Sequence, residues 1–537
     1  MAQPTTGRWL MTRNAHLKAP IVLLVILGAL MSVTAVLFAY ATKLVIDAAQ
    51  DGESTLFIRF AIAVIGVLAF QMVVRALNHY LLGYYRAKTD KHLKASMFHE
   101  VLGQTHTALE NAHTGKLMNH LQSDVRTVAE GMVELLPRFV FLFLRFGLAF
   151  ALLFILDTTF ALIMLAFGLT LLMGSVLVRN AIKQRHHAMQ DAEASLRGTL
   201  QESLDHTTVI KAYEAETHTE AVVETQQQNF FHARMAKHRV SVFAGTALSG
   251  FFSAAYAFAI IYGAYRIGVG ALTFGSLVAI IQLVEFMQSP FAGLSVLVPK
   301  VYAMTASAER LMKLEAAPKD VVAQRAEGTF DALVGQGITF TYGEGNVLNN
   351  LDFTARRGDM VHIKGASGIG KTTLFKVLLG LVEPTEGRVD IIIDGDSHRV
   401  GPATRRCFSY VPQGLMVQSG TIKDAIRYNT DADEDLIITA AKAAAIHDDI
   451  LALEHGYDTE LKERGKGFSE GQIQRLAIAR SLCREASVLL FDEATSALDA
   501  ETEAKVLANV AALEGKTVFV ISHRDLDPSL INETITL

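Results

Sequence analysis

The sequence predicts a multidomain protein: an all-α six-helix transmembrane domain with long cytoplasmic helical extensions, followed by an α/β P-loop domain. Three observations carry that prediction. Six apolar runs, each near the about 20 residues that a bilayer-spanning helix needs, fall before residue 300. After Ala316-Ala317-Pro318-Lys319 the pattern changes to short β-type runs alternating with helices. Within that second part, Gly365-Ala366-Ser367-Gly368-Ile369-Gly370-Lys371-Thr372-Thr373 follows the apolar run Met360–Ile363 and precedes the helical pattern Leu374–Leu379, the strand-loop-helix setting of a phosphate-binding loop. Composition agrees. Of 537 residues 51% are hydrophobic, and the mean hydropathy of +0.29 is too high for an ordinary soluble enzyme. The net charge of −5 lacks the basic footprint of a nucleic-acid binder, so no nucleic-acid partner is expected. Cys407 and Cys483 stand far apart in no metal-ligand spacing and read as reduced, packed thiols.

The apolar runs lie near Ala19 to Tyr40, Phe57 to Leu77, Pro137 to Ile155, Thr159 to Val178, Val240 to Ile267 and Gly275 to Val298. The first run is too long for the core of a cleavable signal peptide, and none is expected. Runs one and two, three and four, and five and six are joined by short links. The other two links hold roughly 60 residues each, far beyond ordinary loops. They keep helical periodicity, which predicts helices that continue beyond the bilayer. Those links also hold the Lys/Arg excess, including Arg86, Lys88, Lys91, Lys94, Arg179, Lys183, Arg185 and Arg197, and Arg8, Arg13 and Lys18 precede the first run. The bias places the long links and the N-terminus in the cytoplasm.

Arg75, Arg145, Gln282, Glu285 and Gln288 interrupt the apolar runs. Polar groups there are costly and face a bundle interior or a cavity, so Glu285 is weighed as a cavity residue against a structural contact. Pro290 is expected to kink the last run. His92, His99, His106, His113 and His120 recur every seven residues. Helical metal ligands need closer spacing, which argues against a metal stripe.

In the second part the chemistry of the phosphate loop is explicit. Its glycines let successive N–H groups converge on an anion, and the following helix adds the positive end of its dipole. Lys371 reaches the β and γ phosphates of ATP, and Thr372 offers its hydroxyl to Mg²⁺. Val488-Leu489-Leu490-Phe491-Asp492-Glu493 is a buried strand ending in two acids, the form of a Walker B: Asp492 for Mg²⁺ and Glu493 to orient and deprotonate water.

Phe468-Ser469-Glu470-Gly471-Gln472, with the helical run Ile473–Arg480, resembles the LSGGQ signature of ATP-binding cassette (ABC) proteins. In family order stand Gln413 of Tyr410-Val411-Pro412-Gln413 (Q-loop), Asp499 of Ser496-Ala497-Leu498-Asp499 (D-loop) and His523 of Ile521-Ser522-His523-Arg524 (H-loop). Tyr342 looks like the aromatic that stacks on adenine. The membrane part resembles that of the family's exporters. Thr114–Val125 and Glu202–Ala212 with Tyr213 look like their coupling-helix regions, and Thr459 to Gly465 like the loop that meets them. Two departures stand out: Phe468 and Glu470 replace the usual leucine and glycine, and the sequence ends at Leu537 soon after the H-loop.

The resemblance implies an exporter-type half-transporter, residues 1–318 forming the transmembrane domain and 319–537 an α/β P-loop ABC ATPase domain that is C-terminally short. It implies ATP hydrolysis with Glu493, His523, Gln413 and Lys371 as catalytic groups. Gly365–Thr373, Tyr342, Ser469, Glu470, Gly471, Gln472 and Asp499 would contact nucleotide, and Thr372, Gln413 and Asp492 would serve Mg²⁺. The partner expected is a second half-transporter, a homodimer being favoured over a heterodimer, in a lipid bilayer. The location expected is the bacterial plasma (inner) membrane, with the N-terminus and ATPase domain cytoplasmic. An exporter-fold importer, an ATP-gated channel and a soluble ABC ATPase are the alternatives, and the substrate is not legible.

Overall fold

The computed structural model describes residues 5–537 except 14, 111, 113, 322–325, 343–344, 415–416 and 463–464, and the side chains of 15, 171–179, 292, 295 and 346 lie outside the description. His113 of the histidine series and Glu463-Arg464 of the loop singled out above are therefore not described. The chain forms two compact units, Met1–His99 with Gly115–Glu315, and Glu100–Thr114 with Ala316–Leu537.

The first unit is helical: α1 (Thr6–Arg13), α2 (Lys18–Gln50), α3 (Ser54–Leu102), then, after the short α4 (His106–Glu110) of the second unit, α5 (Thr114–Asn119), α6 (Val125–Leu156), α7 (Thr158–Asp205), α8 (Thr207–Ala212), α9 (Glu216–Gly268) and α10 (Phe274–Glu315). Five of these stretches are long and apolar enough to cross a membrane among the described residues: α2, α3, Thr114–Leu156, α9 and α10. The fourth expected run, Thr159 to Val178, begins α7, where the described apolar part is Thr158–Thr170. At 1.5 Å per residue, the 49 residues of α3 extend about 74 Å, more than twice the about 30 Å hydrocarbon thickness. The expected helical continuation is thus present in α3, α7 and α9.

Small residues let these helices approach closely. A Cβ on Gly131 of α6 would stand 2.6 Å from the Met304 sulfur of α10, and one on Gly293 of α10 would stand 2.6 Å from Leu142 of α6. Polar ties are buried where the helices leave the apolar runs. Asp124 closes a π-helical turn, His120–Asp124, and accepts from Ser307 Oγ (2.8 Å), Arg310 Nε (3.0 Å) and Nη2 (2.5 Å), with His120 Nδ1 at 2.7 Å. Glu134 accepts from Arg86 (2.6 Å) and Lys300 (2.9 Å), tying α3, α6 and α10. Asp157 caps α7 by accepting from Phe160 N (2.9 Å) and pairs with Arg266 of α9 at 3.2 Å. Of the interrupting polar residues, Arg145 lies over the Phe286 ring at 4.1 Å, Gln288 Nε2 donates to Phe252 O at 3.4 Å, and Glu285 and Arg75 are exposed. Pro290 lies inside α10, as does Pro299.

The second unit holds β1 (Phe330–Thr341), β2 (Asn346–Arg356), β3 (Met360–Lys364), α11 (Lys371–Leu378), β4 (Glu386–Ile393), β5 (Asp396–Arg399), β6 (Phe408–Val411), β7 (Gly420–Thr421), α12 (Ile422–Arg427), α13 (Glu434–Ala443), α14 (His447–Leu451), β8 (Glu460–Leu461), α15 (Glu470–Leu482), β9 (Val488–Asp492), α16 (Ala500–Ala511), β10 (Thr517–Ile521) and β11 (Glu533–Thr536). An all-parallel sheet, β11-β3-β10-β9-β6, forms its centre, and an antiparallel sheet, β2-β1-β4-β5, stands beside it. β9 and β10 are buried at every position, as parallel strands covered on both faces must be. Hence they read as unbroken apolar runs.

Segment Glu100–Glu110 is laid along this unit. Thr105 N donates to Pro318 O (2.9 Å), Asp320 N to Gly103 O (3.0 Å), and Lys319 pairs with Glu100. Asp320 in turn pairs with Arg405, which donates to Leu379 O (3.2 Å) and Gly380 O (2.7 Å) at the end of α11. Lys376 of α11 meets Glu110 at 2.7 Å.

Candidate ATP site

β3 is held between β10 and β11 and delivers the chain into the phosphate loop at a fixed height. Gly368 (φ 81°) and Gly370 (φ 116°) are left-handed there, and a Cβ on Gly370 would stand 2.8 Å from Val347 O. Only glycine fits that turn. Lys371, 6% exposed, lies back over the loop and donates to Gly365 O (2.9 Å) and Ala366 O (3.1 Å). Ser367 and Ile369 lie in the loop itself and Thr373 in the first turn of α11.

Thr372 Oγ1 donates to Asp492 Oδ1 at 3.3 Å, closing the loop onto the end of β9. Asp492 is 1% exposed. Burial pushes its carboxyl above the ordinary range, against the hydrogen bonds of Thr372 and Tyr410. Glu493 follows in the left-handed region (φ 50°), and its N–H donates to Ile521 O at 3.1 Å. That unusual backbone is held by its bond to the end of β10. Its carboxylate accepts from Gln413 Nε2 at 2.7 Å and has His523 Nε2 at 3.0 Å.

The remaining residues lie on other elements. Ser469 caps α15 and forms a capping box with Gln472: Gln472 N donates to Ser469 Oγ (3.2 Å) and Ser469 N to Gln472 Oε1 (2.9 Å). Glu470 is exposed at the first helical position. A Cβ on Gly471 would stand 3.1 Å from Ala497 O and 3.3 Å from Leu498, so the signature glycine permits close packing on the D-loop. Asp499 caps α16, accepting from Thr502 N (2.9 Å) and Thr502 Oγ1 (2.8 Å). Tyr342 is 47% exposed and packs edge-on against Phe340 at 4.8 Å. The described contacts thus gather Lys371, Thr372, Asp492, Glu493, Gln413 and His523 around one loop. They join neither Ser469–Gln472 nor Asp499 to it.

The family model for the ABC transporter transmembrane region matches residues 19–291, just over half of the chain, and the ABC transporter model matches residues 348–496. The chain belongs to the ABC transporters. The fold of this ABC transporter is similar to that of a bacterial Atm1-family ABC exporter with ATP bound, with a TM-score of 0.78 and 23% identity over 95% of this chain and 92% of that one. In sequence it is 38% identical over 268 residues to the uncharacterised ABC transporter ATP-binding protein YfiB of Bacillus subtilis, covering 48% of this chain but 46% of the relative. It is 28% identical over 448 residues to the ATP-dependent lipid A-core flippase of Syntrophus aciditrophicus, covering 80% of this chain and 73% of the relative. An integral, multi-pass membrane part and an ATP-binding part therefore share one chain, the half-transporter arrangement.

Three neighbours of the site escape motif reading. Tyr410 Oη donates to Asp492 Oδ2 at 3.1 Å. Arg524 Nη1 donates to Leu498 O and to Glu503 Oε2, both at 2.8 Å, tying the H-loop to α16. Gln474 Nε2 donates to Ser496 Oγ at 3.0 Å and Gln474 Oε1 accepts from Ala497 N at 3.0 Å, tying α15 to the D-loop. Each sits next to a motif in sequence. Its partner, however, lies 21 to 82 residues away, beyond the reach of any local pattern.

Proposed function

We propose that this ABC transporter is an exporter that works as a homodimer, hydrolysing ATP at Glu493. The observation that carries the reading is the Glu493 carboxylate held between Gln413 and His523, one residue beyond the Asp492–Thr372 contact. Glu493 Oε atoms take the proton of the attacking water, and the two neighbours hold the carboxylate in line with the phosphate loop. Lys371 leaves its loop carbonyls for the β and γ phosphates, exchanging neutral acceptors for charged ones. Tyr342 stacks on the adenine.

The residues fit a magnesium ion. Thr372 Oγ1 and Asp492 Oδ1 already converge at 3.3 Å, and hydroxyl and carboxylate oxygens are the donors a hard cation takes. Gln413 offers a third oxygen, with its amide nitrogen on Glu493. Bound there, Mg²⁺ would neutralise phosphate charge as the terminal phosphoryl group leaves.

Each chain has one copy of each motif, and α15 packs on α12, α13 and β6 while α11 packs on β2 and β9. A complete site therefore uses the signature of one copy, Ser469 to Gln472, and the phosphate loop of another, with Asp499 at the shared edge. ATP binding draws two copies together, and hydrolysis releases them, a two-state cycle that drives alternating access. Export is favoured by the long helices α3, α7 and α9 and by the lipid A-core flippase among the relatives. Lys/Arg bias supports a cytoplasmic N-terminus and ATPase part, and the bacterial relatives favour a bacterial inner membrane.

A substrate-stimulated ATPase screen in lipid nanodiscs, followed by flux in inside-out vesicles, tests the reading. ATP-dependent uptake into such vesicles, lost in Glu493→Gln, supports export. ATP-dependent release from them, or channel current, contradicts it.

A further inference from the structure

We propose that Tyr410 is a positioning residue of the ATP site, which holds the Asp492 carboxylate so that Oδ1, the oxygen beside Thr372, is the one left for the metal. The inference rests on the reading of Asp492 as a magnesium ligand. Asp492 has two oxygens, and each has its own donor: Thr372 Oγ1 on Oδ1 at 3.3 Å, and Tyr410 Oη on Oδ2 at 3.1 Å. The two donors differ in what happens when a cation arrives. Thr372 opens α11 at the phosphate loop and its oxygen would serve the metal, whereas Tyr410 would keep its hydroxyl on Oδ2.

The tyrosine is fixed at its backbone and at its ring. Its backbone lies in β6, paired parallel to β9 with Tyr410 opposite Leu490, two residues before Asp492. Its ring stands edge-on to Phe375 at 6.2 Å, on the same helix as Lys371 and Thr372. Three residues further on comes Gln413. One side chain thus touches the phosphate-loop helix and the Walker B carboxylate, on a strand that leads into the Q-loop. A ring alone would serve the packing. The hydroxyl is explained by its acceptor, since a phenol in such surroundings needs a partner and second-layer donors orient carboxylate ligands.

The test removes only that oxygen. Full-length Tyr410→Phe is loaded with a non-hydrolysable ATP analogue and titrated with Mn²⁺, with free Mn²⁺ followed by electron paramagnetic resonance. The expected result is an Mn²⁺ affinity about tenfold weaker than wild type, in the range seen when such supporting groups are removed. Analogue binding in EDTA should stay unchanged, and Tyr410→Phe should add nothing further in an Asp492→Asn background. The inference is overturned by Mn²⁺ affinity within twofold of wild type. It is equally overturned if metal-free nucleotide binding falls by the same factor, which marks a role in the fold alone, or if the loss persists in Asp492→Asn. Asp492→Asn by itself separates the two claims: if that variant binds Mn²⁺ as wild type does, the metal reading fails as well.

Discussion

His523 Nε2 lies 3.0 Å from Glu493 Oε1, although the two residues come from the ends of different strands, β10 and β9. Parallel pairing of those strands aligns Ile521 with Asp492, so the residues that follow each strand leave the sheet at the same edge. Catalytic geometry here is a property of sheet register.

From this follows the first expectation. Glu493→Gln keeps the size and the Gln413 neighbour of the side chain but removes the base. ATP hydrolysis should fall by about 10²- to 10⁴-fold while ATP binding remains. Steady-state phosphate release at the wild-type rate would refute the assignment.

The signature glycine gives a second. Any side chain on Gly471 meets Ala497 O and Leu498 of the D-loop, so Gly471→Ala should displace that loop and lower the ATPase rate without unfolding the parallel sheet. Glu470 is exposed, and like charges at about 6 Å would repel by nearly 3 kcal/mol at an effective dielectric of 20 only if its carboxylate faced phosphate. Glu470→Gly should change apparent ATP affinity less than tenfold. A tenfold gain would show that the carboxylate turns inward.

The pair formed by Glu110 and Lys376 gives a third. Lys376 holds the Glu110 carboxyl below its usual range, and Lys376, though burial pulls it down, is raised by Glu110 and by the Tyr342 hydroxyl. The pair is partly exposed, and such pairs contribute about 0–1 kcal/mol. Glu110→Gln should leave the melting temperature nearly unchanged. Its effect should appear in nucleotide affinity, a few-fold through Tyr342, read by fluorescent-ATP titration. Unchanged affinity would limit the pair to packing.

A fourth concerns pH. His362 is fully buried on β3, and burial, partly offset by the Ser522 carbonyl, holds its pKa below the ordinary 6.5. The unfolded chain therefore binds a proton at a pH where the folded chain does not. Stability present above pH 6.5 should be lost as pH falls toward the lowered folded value. His362→Gln should shrink the difference in melting temperature between about pH 7.5 and pH 5.5. An unchanged difference would place the titration elsewhere.

The sequence exposed whatever is local. Gly365–Thr373 and Val488–Glu493 are contiguous, and their chemistry needs adjacent residues, so both could be read directly. Helical continuation beyond the bilayer was legible because periodicity persists through the long links. What escaped depends on pairing across the fold. Tyr410 meets Asp492 82 residues away, and Lys376 meets Glu110 across 266 residues. The Lys376 partner comes from α4, which backbone hydrogen bonds of Gly103 and Thr105 with Asp320 and Pro318 draw onto this unit, and no side-chain pattern encodes those bonds. The π-helical turn at His120–Asp124 was hidden for a similar reason, since its tie to Arg310 is tertiary.

Closure of two copies on ATP, with the signature of one against the phosphate loop of the other, can be read by cross-linking. Ser469→Cys and Ser367→Cys chains, each also carrying Glu493→Gln, Cys407→Ser and Cys483→Ser, are mixed in nanodiscs and oxidised. A disulfide-linked dimer should form with Mg²⁺ and ATP and not without nucleotide. Saturating ATP binding with no cross-link between the two chains would contradict it.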